Sequence, residues 1–167
     1  MESTSIEALP RKREQLRAKA DRAKQFRCNT FIVVLENPSN LSNIGTVIRN
    51  IDALGAGKLY VIDSRNTIPD DWQKMRRSPH LMSTSASAVK WSYVRKFKSS
   101  AECFQHLQKN NFISLATSPH IKGHNNMNLE STDFTNYAKL AVWFGNEVAG
   151  ITDEVTAKCQ GCIQIDM

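Results

Sequence analysis

The sequence predicts an α/β fold, with a mainly parallel sheet flanked by helices. Two observations support this prediction: short apolar runs recur along the chain, and segments with helical spacing separate them. Strands buried on both faces read as continuous apolar runs, and parallel strands require crossovers that are usually helical. With 167 residues, 41% of them hydrophobic, the chain is long enough for one domain with a substantial core.

The elements follow from these patterns in chain order. The predicted strands are residues 31–35, 58–63, 90–95, 112–117, 140–144 and 162–165. The predicted helices of the body are residues 43–54, 100–109 and 152–159. Residues 64–89 and 118–138 show no regular period, and we expect them to form long functional or mobile loops.

The first 29 residues are predicted to form a basic N-terminal arm ahead of a body spanning residues 30–167. Pro10 suits the first turn of a helix that runs to about Phe26. Residues 11–27 have a net charge of +6, equal to that of the whole chain, and their cations are Arg11, Lys12, Arg13, Arg17, Lys19, Arg22, Lys24 and Arg27. This indicates a polyanionic partner, nucleic acid first, although a solvated basic helix face explains the same composition.

Several classes of protein are excluded or disfavoured. Residues 1–30 lack the apolar core of a signal peptide, and no apolar run approaches the roughly 20 residues that span a membrane. We therefore expect a cytoplasmic protein with no membrane partner. Cys159 and Cys162 form a C-x-x-C pair, but no second pair or nearby histidine completes a zinc site. We predict buried cysteines and no metal.

The predicted helix 43–54 carries the first candidate site. Ser42 is a suitable N-cap, and Ile44, Val47, Ile48, Ile51 and Leu54 fall on one apolar face. Gly45 and Arg49 lie one turn apart on another face, where a bare backbone beside a cation suits a phosphate or a sugar. The alternative is that Gly45 is a packing glycine and that Arg49 pairs with Asp52.

The second candidate site follows the predicted strand 140–144. Gly145 and Gly150 bracket a short loop, and Thr152 can then cap the helix that follows. Open α/β sheets bind ligands at the carboxyl ends of their strands, so Glu147 would be a carboxylate held over such a pocket. The alternative is an ordinary strand-to-helix loop with an exposed glutamate.

Three segments together resemble the ordered motifs of the SpoU/TrmH family. They are Asn43-x-Gly45-x-x-x-Arg49, Phe144-Gly145-Asn146-Glu147-x-x-Gly150 and Ile163-Gln164-Ile165-Asp166-Met167. The family comprises S-adenosylmethionine-dependent RNA 2′-O-ribose methyltransferases of the SPOUT superfamily, and the resemblance covers about residues 30–167. The basic arm and residues 84–91 look similar to members that methylate a D-loop guanosine in tRNA.

The resemblance implies an α/β domain with a trefoil knot, and dimerisation of the full-length protein through it. Asn43 would orient the catalytic arginine, Arg49 would act on the ribose hydroxyl, and Glu147 would support the site. The donor S-adenosylmethionine would be bound by Gly145, Asn146, Gly150, Ile165 and Met167. Because arginine is a poor base at neutral pH, Arg49 is better suited to stabilise an alkoxide or hold a phosphate.

Two departures from the family pattern affect these expectations. Asp166 stands where the family usually has proline. The sequence ends at Met167, whereas the family continues with a Ser-Leu-Asn motif and a final helix that complete the knot and the donor pocket. From the sequence we therefore expect a truncated methyltransferase domain, an incomplete knot, and weak donor binding and catalysis.

Two other functions are alternatives for this sequence. One is a non-catalytic RNA-binding protein of the same fold that lacks a complete donor pocket. The other is a nicotinamide-dependent enzyme, which is disfavoured because Gly55-Ala56-Gly57 ends a helix and enters a strand, the reverse of a dinucleotide fingerprint. The predicted substrate is RNA, with tRNA favoured over rRNA.

Overall fold

The computed structural model describes residues 14–15, 18, 21–22, 24–120 and 125–165. The strands are β1 (Cys28–Glu36), β2 (Ala56–Ile62), β3 (Tyr93–Phe97), β4 (Ile113–Thr117), β5 (Asn126–Asn128), β6 (Leu140–Phe144) and β7 (Gly161–Gln164). The helices are α1 (Leu41–Ala53), α2 (Trp72–Met75), α3 (Pro79–Thr84), α4 (Ser100–Lys109) and α5 (Asp153–Lys158), with a 3₁₀ turn at Ala88–Lys90.

The strands of the described residues form one sheet of seven, in the order β3-β2-β1-β6-β4-β7-β5. Every strand pair in it is parallel. The predicted fold class, a mainly parallel sheet flanked by helices, is therefore confirmed. The sheet has one strand more than the predicted set because β5 is short and polar, and carries no apolar run.

The prediction of a long loop was wrong for much of residues 64–89. This segment forms α2, α3 and the 3₁₀ turn, and it buries Met75, Leu81 and Val89. The predicted strand 90–95 also starts too early, because the 3₁₀ turn occupies its first residue and β3 begins at Tyr93. Helices this short are stabilised by tertiary packing, and they contain too few residues to show a helical period in the sequence.

The register of the sheet places the ends of β1 and β6 side by side. Leu35, the penultimate residue of β1, is paired with Phe144, the last residue of β6. The segments that follow these strands therefore leave the sheet at one edge. One leads to the start of α1, and the other is the Gly145–Gly150 loop.

The two faces of the sheet are covered differently. On one face α4 and α5 pack on a core in which the rings of Phe104 and Trp143 stack with centroids 4.3 Å apart. On the other face α1, α2 and α3 cover β1 and β2. Beyond them, the same face of β6, β4 and β7 borders an apolar cavity of about 750 Å³.

The N-terminal arm is described only in part. Residues 14–15, 18, 21–22 and 24–25 are helical and exposed. Of the predicted RNA-binding cations, Arg22, Lys24 and Arg27 are described, whereas Arg11, Lys12, Arg13, Arg17 and Lys19 lie outside the described residues. In the part of the chain with described coordinates, no helix is long and apolar enough to cross a membrane.

Candidate functional site

Helix α1 begins two residues earlier than predicted, and Asn40 rather than Ser42 is its N-cap. The Asn40 side chain accepts a hydrogen bond from the backbone N–H of Asn43 at 3.1 Å. The Ser42 hydroxyl instead lies 2.8 Å from Nε2 of His80 on α3. Asparagine and serine are about equally favourable at the N-cap, so residue preference alone does not distinguish Asn40 from Ser42. The predicted apolar face also ends early, since Leu54 is 85% exposed.

The two motif segments meet through Glu147. Its Oε1 accepts a hydrogen bond from Nδ2 of Asn43, a residue 104 positions away, and its Oε2 accepts one from the Ser39 hydroxyl at 2.6 Å. The Ser39 hydrogen bond is the main cause of a lowered pKa at Glu147, with a further contribution from Asn43. Glu147 is therefore an ionised carboxylate at neutral pH, held over the start of α1.

Asn146 ties the Gly145–Gly150 loop to the end of β1. Its Nδ2 donates to the carbonyl of Asn37 and to the Ser39 hydroxyl, both at 2.8 Å. Its Oδ1 accepts from the backbone N–H groups of Val148 and Ala149 at 2.9 and 3.2 Å. The side chain predicted to bind a cofactor thus forms its hydrogen bonds within the protein, and it shapes the loop.

The bracketing glycines are explained by the closure of the loop. Asn146 and Gly150 form an antiparallel bridge, and a Cβ on Gly145 would lie 2.1 Å from the backbone carbon of Gly150. Any side chain at Gly145 would break this closure. Gly150 has φ of +69°, which disfavours other residues, and a Cβ there would meet nothing within 4 Å. The open side of Gly150 remains accessible to a ligand.

Glu36 is a site residue that the sequence reading missed. Its side chain is buried at the end of β1, where it accepts hydrogen bonds from the Ser100 hydroxyl at 3.0 Å, the Thr152 backbone N–H at 2.9 Å and the Thr152 hydroxyl at 2.8 Å. Thr152 is also the N-cap of α5, as predicted. Glu36 therefore fixes the exit of the loop. An acidic residue that ends a buried strand was the available signal.

Gly45 is a packing glycine, so the prediction of an anion cradle at this residue was wrong. It is buried against α3, and a Cβ on it would lie 2.0 Å from Oγ1 of Thr84. The close approach of α1 and α3 therefore requires glycine at this position. The alternative interpretation of the sequence was correct for Gly45.

Arg49 is exposed, and among the described residues its side chain forms no ion pair. The expected alternative partner, Asp52, pairs with Arg27 instead. Arg49 lies about 120° around α1 from Asn43, so the two side chains leave different sides of the helix. The structure joins Asn43 to Glu147, and it leaves Arg49, about 9 Å further along α1, as a cation available to a ligand.

The cavity of about 750 Å³ opens beside the same edge of the sheet. Its lining includes Phe144, the residue before Gly145, together with Thr117, Ser118 and the predicted cofactor-binding residue Ile165. The volume is typical of a small-molecule site, and the largely apolar walls suit a planar ring. Met167, also predicted to bind the cofactor, lies outside the described residues.

The C-x-x-C pair is buried, as predicted. Cys159 and Cys162 are 2% and 1% exposed. Burial raises the pKa of the Cys159 thiol to about 12, which makes it unreactive as a nucleophile. Among the residues that the structure describes, no group of three or more His, Cys, Asp or Glu side chains could hold a metal ion.

The chain matches the model of the SpoU rRNA Methylase family over residues 30–167. Two curated relatives are named tRNA (guanosine(18)-2′-O)-methyltransferase. The one from Borreliella burgdorferi is 25% identical over 154 residues, which cover 92% of this chain and 64% of that protein. The one from Thermus thermophilus is 26% identical over 157 residues, covering 92% and 72%. The chain thus spans less than two thirds of the Borreliella relative's length.

Solved structures show the same fold. The A. aeolicus TrmH/SpoU tRNA modifying enzyme superposes with a TM-score of 0.70 at 20% identity, covering 91% of this chain and 72% of that one. The SpoU methyltransferase AviRb from Streptomyces viridochromogenes, solved in complex with AdoMet, gives a TM-score of 0.67 at 23% identity, covering 81% and 48%.

Proposed function

The chain belongs to the SpoU rRNA methylase family, and from that premise we propose that it transfers the methyl group of S-adenosylmethionine to a ribose 2′-hydroxyl of a structured RNA. The observation that supports this most directly is the junction of Asn43, Glu147 and Ser39. It brings two motif segments together beside a cavity of ligand size, at the edge where α/β sheets bind ligands.

Each residue at the junction has a physical role in this proposal. The lowered pKa of Glu147 makes it a weak base, so its part is to hold Asn43 through Nδ2. The Oδ1 of Asn43 is then oriented as a hydrogen-bond acceptor for a hydroxyl or a guanidinium. Arg49, a permanent cation, stabilises the alkoxide that develops on the ribose, or holds the adjacent phosphate.

The residues around the cavity fit the methyl donor. Phe144 and Ile165 offer apolar surface for a purine, and the Gly145–Gly150 loop, with its open side at Gly150, offers backbone groups. Met167 belongs to the same proposed set. When bound, S-adenosylmethionine supplies an electrophilic methyl group. The protein's contribution is to position the hydroxyl and to stabilise its negative charge.

We favour tRNA over rRNA as the substrate, and the relatives named above support this choice. The proposed RNA-binding residues are the cations of the N-terminal arm, whose phosphate contacts would carry little sequence information. We also propose a cytoplasmic homodimer. Exposed apolar residues at the site, Phe144 at 41% and Val148 at 93%, support a protein partner there.

Transfer of tritium from labelled S-adenosylmethionine to bulk tRNA, with bulk rRNA in parallel, tests this proposal. Digestion to nucleosides should recover the label as a 2′-O-methyl nucleoside, predominantly from tRNA. Label on a base would contradict the ribose assignment. Saturable tRNA binding without transfer would favour the non-catalytic RNA-binding protein that shares the fold.

A further inference from the structure

A second polar cluster lies toward the amino ends of the strands, on the face covered by α4. In the register of β2 and β3, Lys58 is paired with Tyr93, and Tyr60 is paired with Arg95. Paired residues of neighbouring strands share a face, and so do residues two apart on one strand. These four side chains therefore form two adjacent rows near the open edge of the sheet.

Helix α4 adds His106 to these rows. Nε2 of His106 lies 3.1 Å from the Tyr60 hydroxyl, and Nη1 of Arg95 lies 3.3 Å from both ring nitrogens. The Arg95 guanidinium also stands 4.7 Å from the centre of the Phe97 ring. Arginine only donates hydrogen bonds, so a His106 nitrogen bonded to Arg95 is the acceptor. The rings of His106 and Phe97 thus hold Arg95 in place.

The cations here are not neutralised by carboxylates. Arg95 contacts His106, Lys58 lies two residues from Tyr60 on the same face of β2, and Lys109 follows His106 by one helical turn. Burial lowers the pKa of His106, and the charges of Arg95, Lys58 and Lys109 lower it further. Among the described residues, none of the three forms an ion pair. Glu102, the one acidic group that raises this pKa, has the smallest effect. Such a cluster is self-repelling until an anion binds.

Two aromatic side chains are exposed at the same end. Tyr93 is 51% and Trp91 is 47% exposed. Trp91 also marks the point where the basic arm joins the body, because Nη1 of Arg27 donates to the Trp91 carbonyl at 3.0 Å and the same guanidinium pairs with Asp52. The charge of the arm therefore continues onto this end of the sheet.

We propose that Lys58, Trp91, Tyr93, Arg95 and Lys109 form a second RNA-contact surface, the amino-end patch, which continues the basic arm. The cations contact phosphates and the aromatic rings stack on unpaired bases, a combination typical of single-stranded or loop RNA. This inference rests on the proposed function for its RNA substrate. The patch lies on the order of 20 Å from Glu147, so one RNA must reach both ends of the sheet.

The test measures binding of fluorescently labelled tRNA to the full chain by anisotropy, over a series of salt concentrations. Lys109→Gln is compared with Lys158→Gln, because both lysines lie in the last turn of an exposed helix end but only Lys109 belongs to the patch. We expect Lys109→Gln to reduce the salt slope by about 0.7–0.9, and the Lys58→Gln/Lys109→Gln pair to reduce it about twice as much. Lys158→Gln should leave the slope unchanged.

Tyr93→Ala and Tyr93→Phe test stacking independently of charge. Tyr93 is half exposed, so neither change disturbs the core. Loss of the ring should weaken tRNA binding about fivefold or more, whereas Tyr93→Phe should bind as the unchanged chain does. Circular dichroism of each variant verifies that the fold is retained.

The outcomes separate this inference from the proposed function. If all these variants bind tRNA with the same affinity and salt slope as Lys158→Gln and still transfer the methyl group, the amino-end patch alone is overturned. No tRNA binding by the unchanged chain would overturn both. Variants that lose binding to vesicles containing phosphatidylserine, while keeping tRNA affinity, would assign the patch to an anionic membrane surface and overturn the RNA assignment.

Discussion

The two ends of the parallel sheet treat charge in opposite ways. At the carboxyl end, Glu36, Asp63 and Glu147 each accept at least two hydrogen bonds from nearby side chains or backbone. At the amino end, Arg95 contacts His106 while Lys58 and Lys109 lie nearby on β2 and α4, and none of the three pairs with a carboxylate of the described residues. Directional hydrogen bonds fix geometry, as chemistry on one hydroxyl requires, whereas unpaired cations attract a polyanion with little directional demand. The difference indicates a division between catalysis and substrate holding.

The largest expected effect concerns Arg49, the exposed cation on α1 that is proposed to act on the ribose. Arg49→Ala should lower methyl transfer by a factor on the order of 10²–10³, because a group that stabilises developing charge is removed. The fold should be unchanged, since the side chain is exposed. The rate of tritium transfer to tRNA measures the effect, with Arg77→Ala as an exposed-arginine control. Near-normal turnover in Arg49→Ala would show that Arg49 is not catalytic.

The next effect concerns the Glu147 carboxylate. Glu147→Ala should reduce turnover on the order of 10–100-fold, because Asn43 loses the acceptor that orients its amide. Ser39→Ala should have a smaller effect and should raise the pKa of Glu147, since the Ser39 hydroxyl is the main cause of its lowered value. Rates at saturating RNA measure both changes.

A pH titration tests the contact between the Glu147 carboxylate and Asn43. A carboxyl whose pKa is lowered by folding contributes stability above its unfolded pKa, and that contribution is lost as the pH falls through the lowered folded value. The contact between Glu147 and Asn43 should therefore survive acidification through 4.5, the ordinary value, and break only below it. NMR of the Asn43 side-chain amide follows this contact. Loss of the contact at or above that pH would contradict the assignment.

Glu36 provides a stability test at the carboxyl end. Glu36→Ala leaves the Ser100 hydroxyl and both Thr152 donors without their acceptor, so we expect the free energy of unfolding to fall by about 1–3 kcal/mol or more. The exposed Glu130→Ala serves as a control, with a change near zero. Urea unfolding measures both. Equal stability of the two variants would show that Glu36 does not fix the exit of the loop.

The smallest effect concerns His106 at the amino end. Its pKa is lowered by burial and by Arg95, Lys58 and Lys109, so the unfolded chain binds a proton more readily than the folded one. The contribution of His106 to the free energy of unfolding should therefore be fully present above its ordinary pKa of 6.5 and should decline as the pH falls below that value. His106→Gln should flatten this part of the stability curve. An unchanged curve would mean that the cations do not act on His106.

The strands and long helices could be predicted because the apolar pattern that buries each of them lies within its own segment of sequence. Strand β6 and helix α4 have the predicted bounds, since each is a compact apolar run or a regular amphipathic period. The short helices α2 and α3 could not, because their burial depends on residues far away in sequence. Gly45 shows the limit, since Thr84, which requires glycine there, lies beyond an intervening strand and helix.

The candidate site was predicted in its parts but not in its connections. The motif pattern assigned Asn43 and Glu147 to one site, and the structure joins the two side chains by a hydrogen bond. Their catalytic roles remain predictions. Glu36 and Ser39 were missed because a buried acceptor and an exposed hydroxyl have no spacing signature. The roles of Arg49 and of the donor-binding residues remain predictions.

One measurement tests the division between the two ends most directly. Single-turnover methyl transfer is recorded as a function of chain concentration for Arg49→Ala and for Lys58→Gln/Lys109→Gln, with labelled tRNA limiting and S-adenosylmethionine in excess. We predict that Arg49→Ala lowers the rate at saturation with an unchanged concentration for half-saturation. The double lysine variant should raise that concentration and leave the saturating rate unchanged. A shift of both parameters together in either variant would contradict the separation of catalysis from RNA holding.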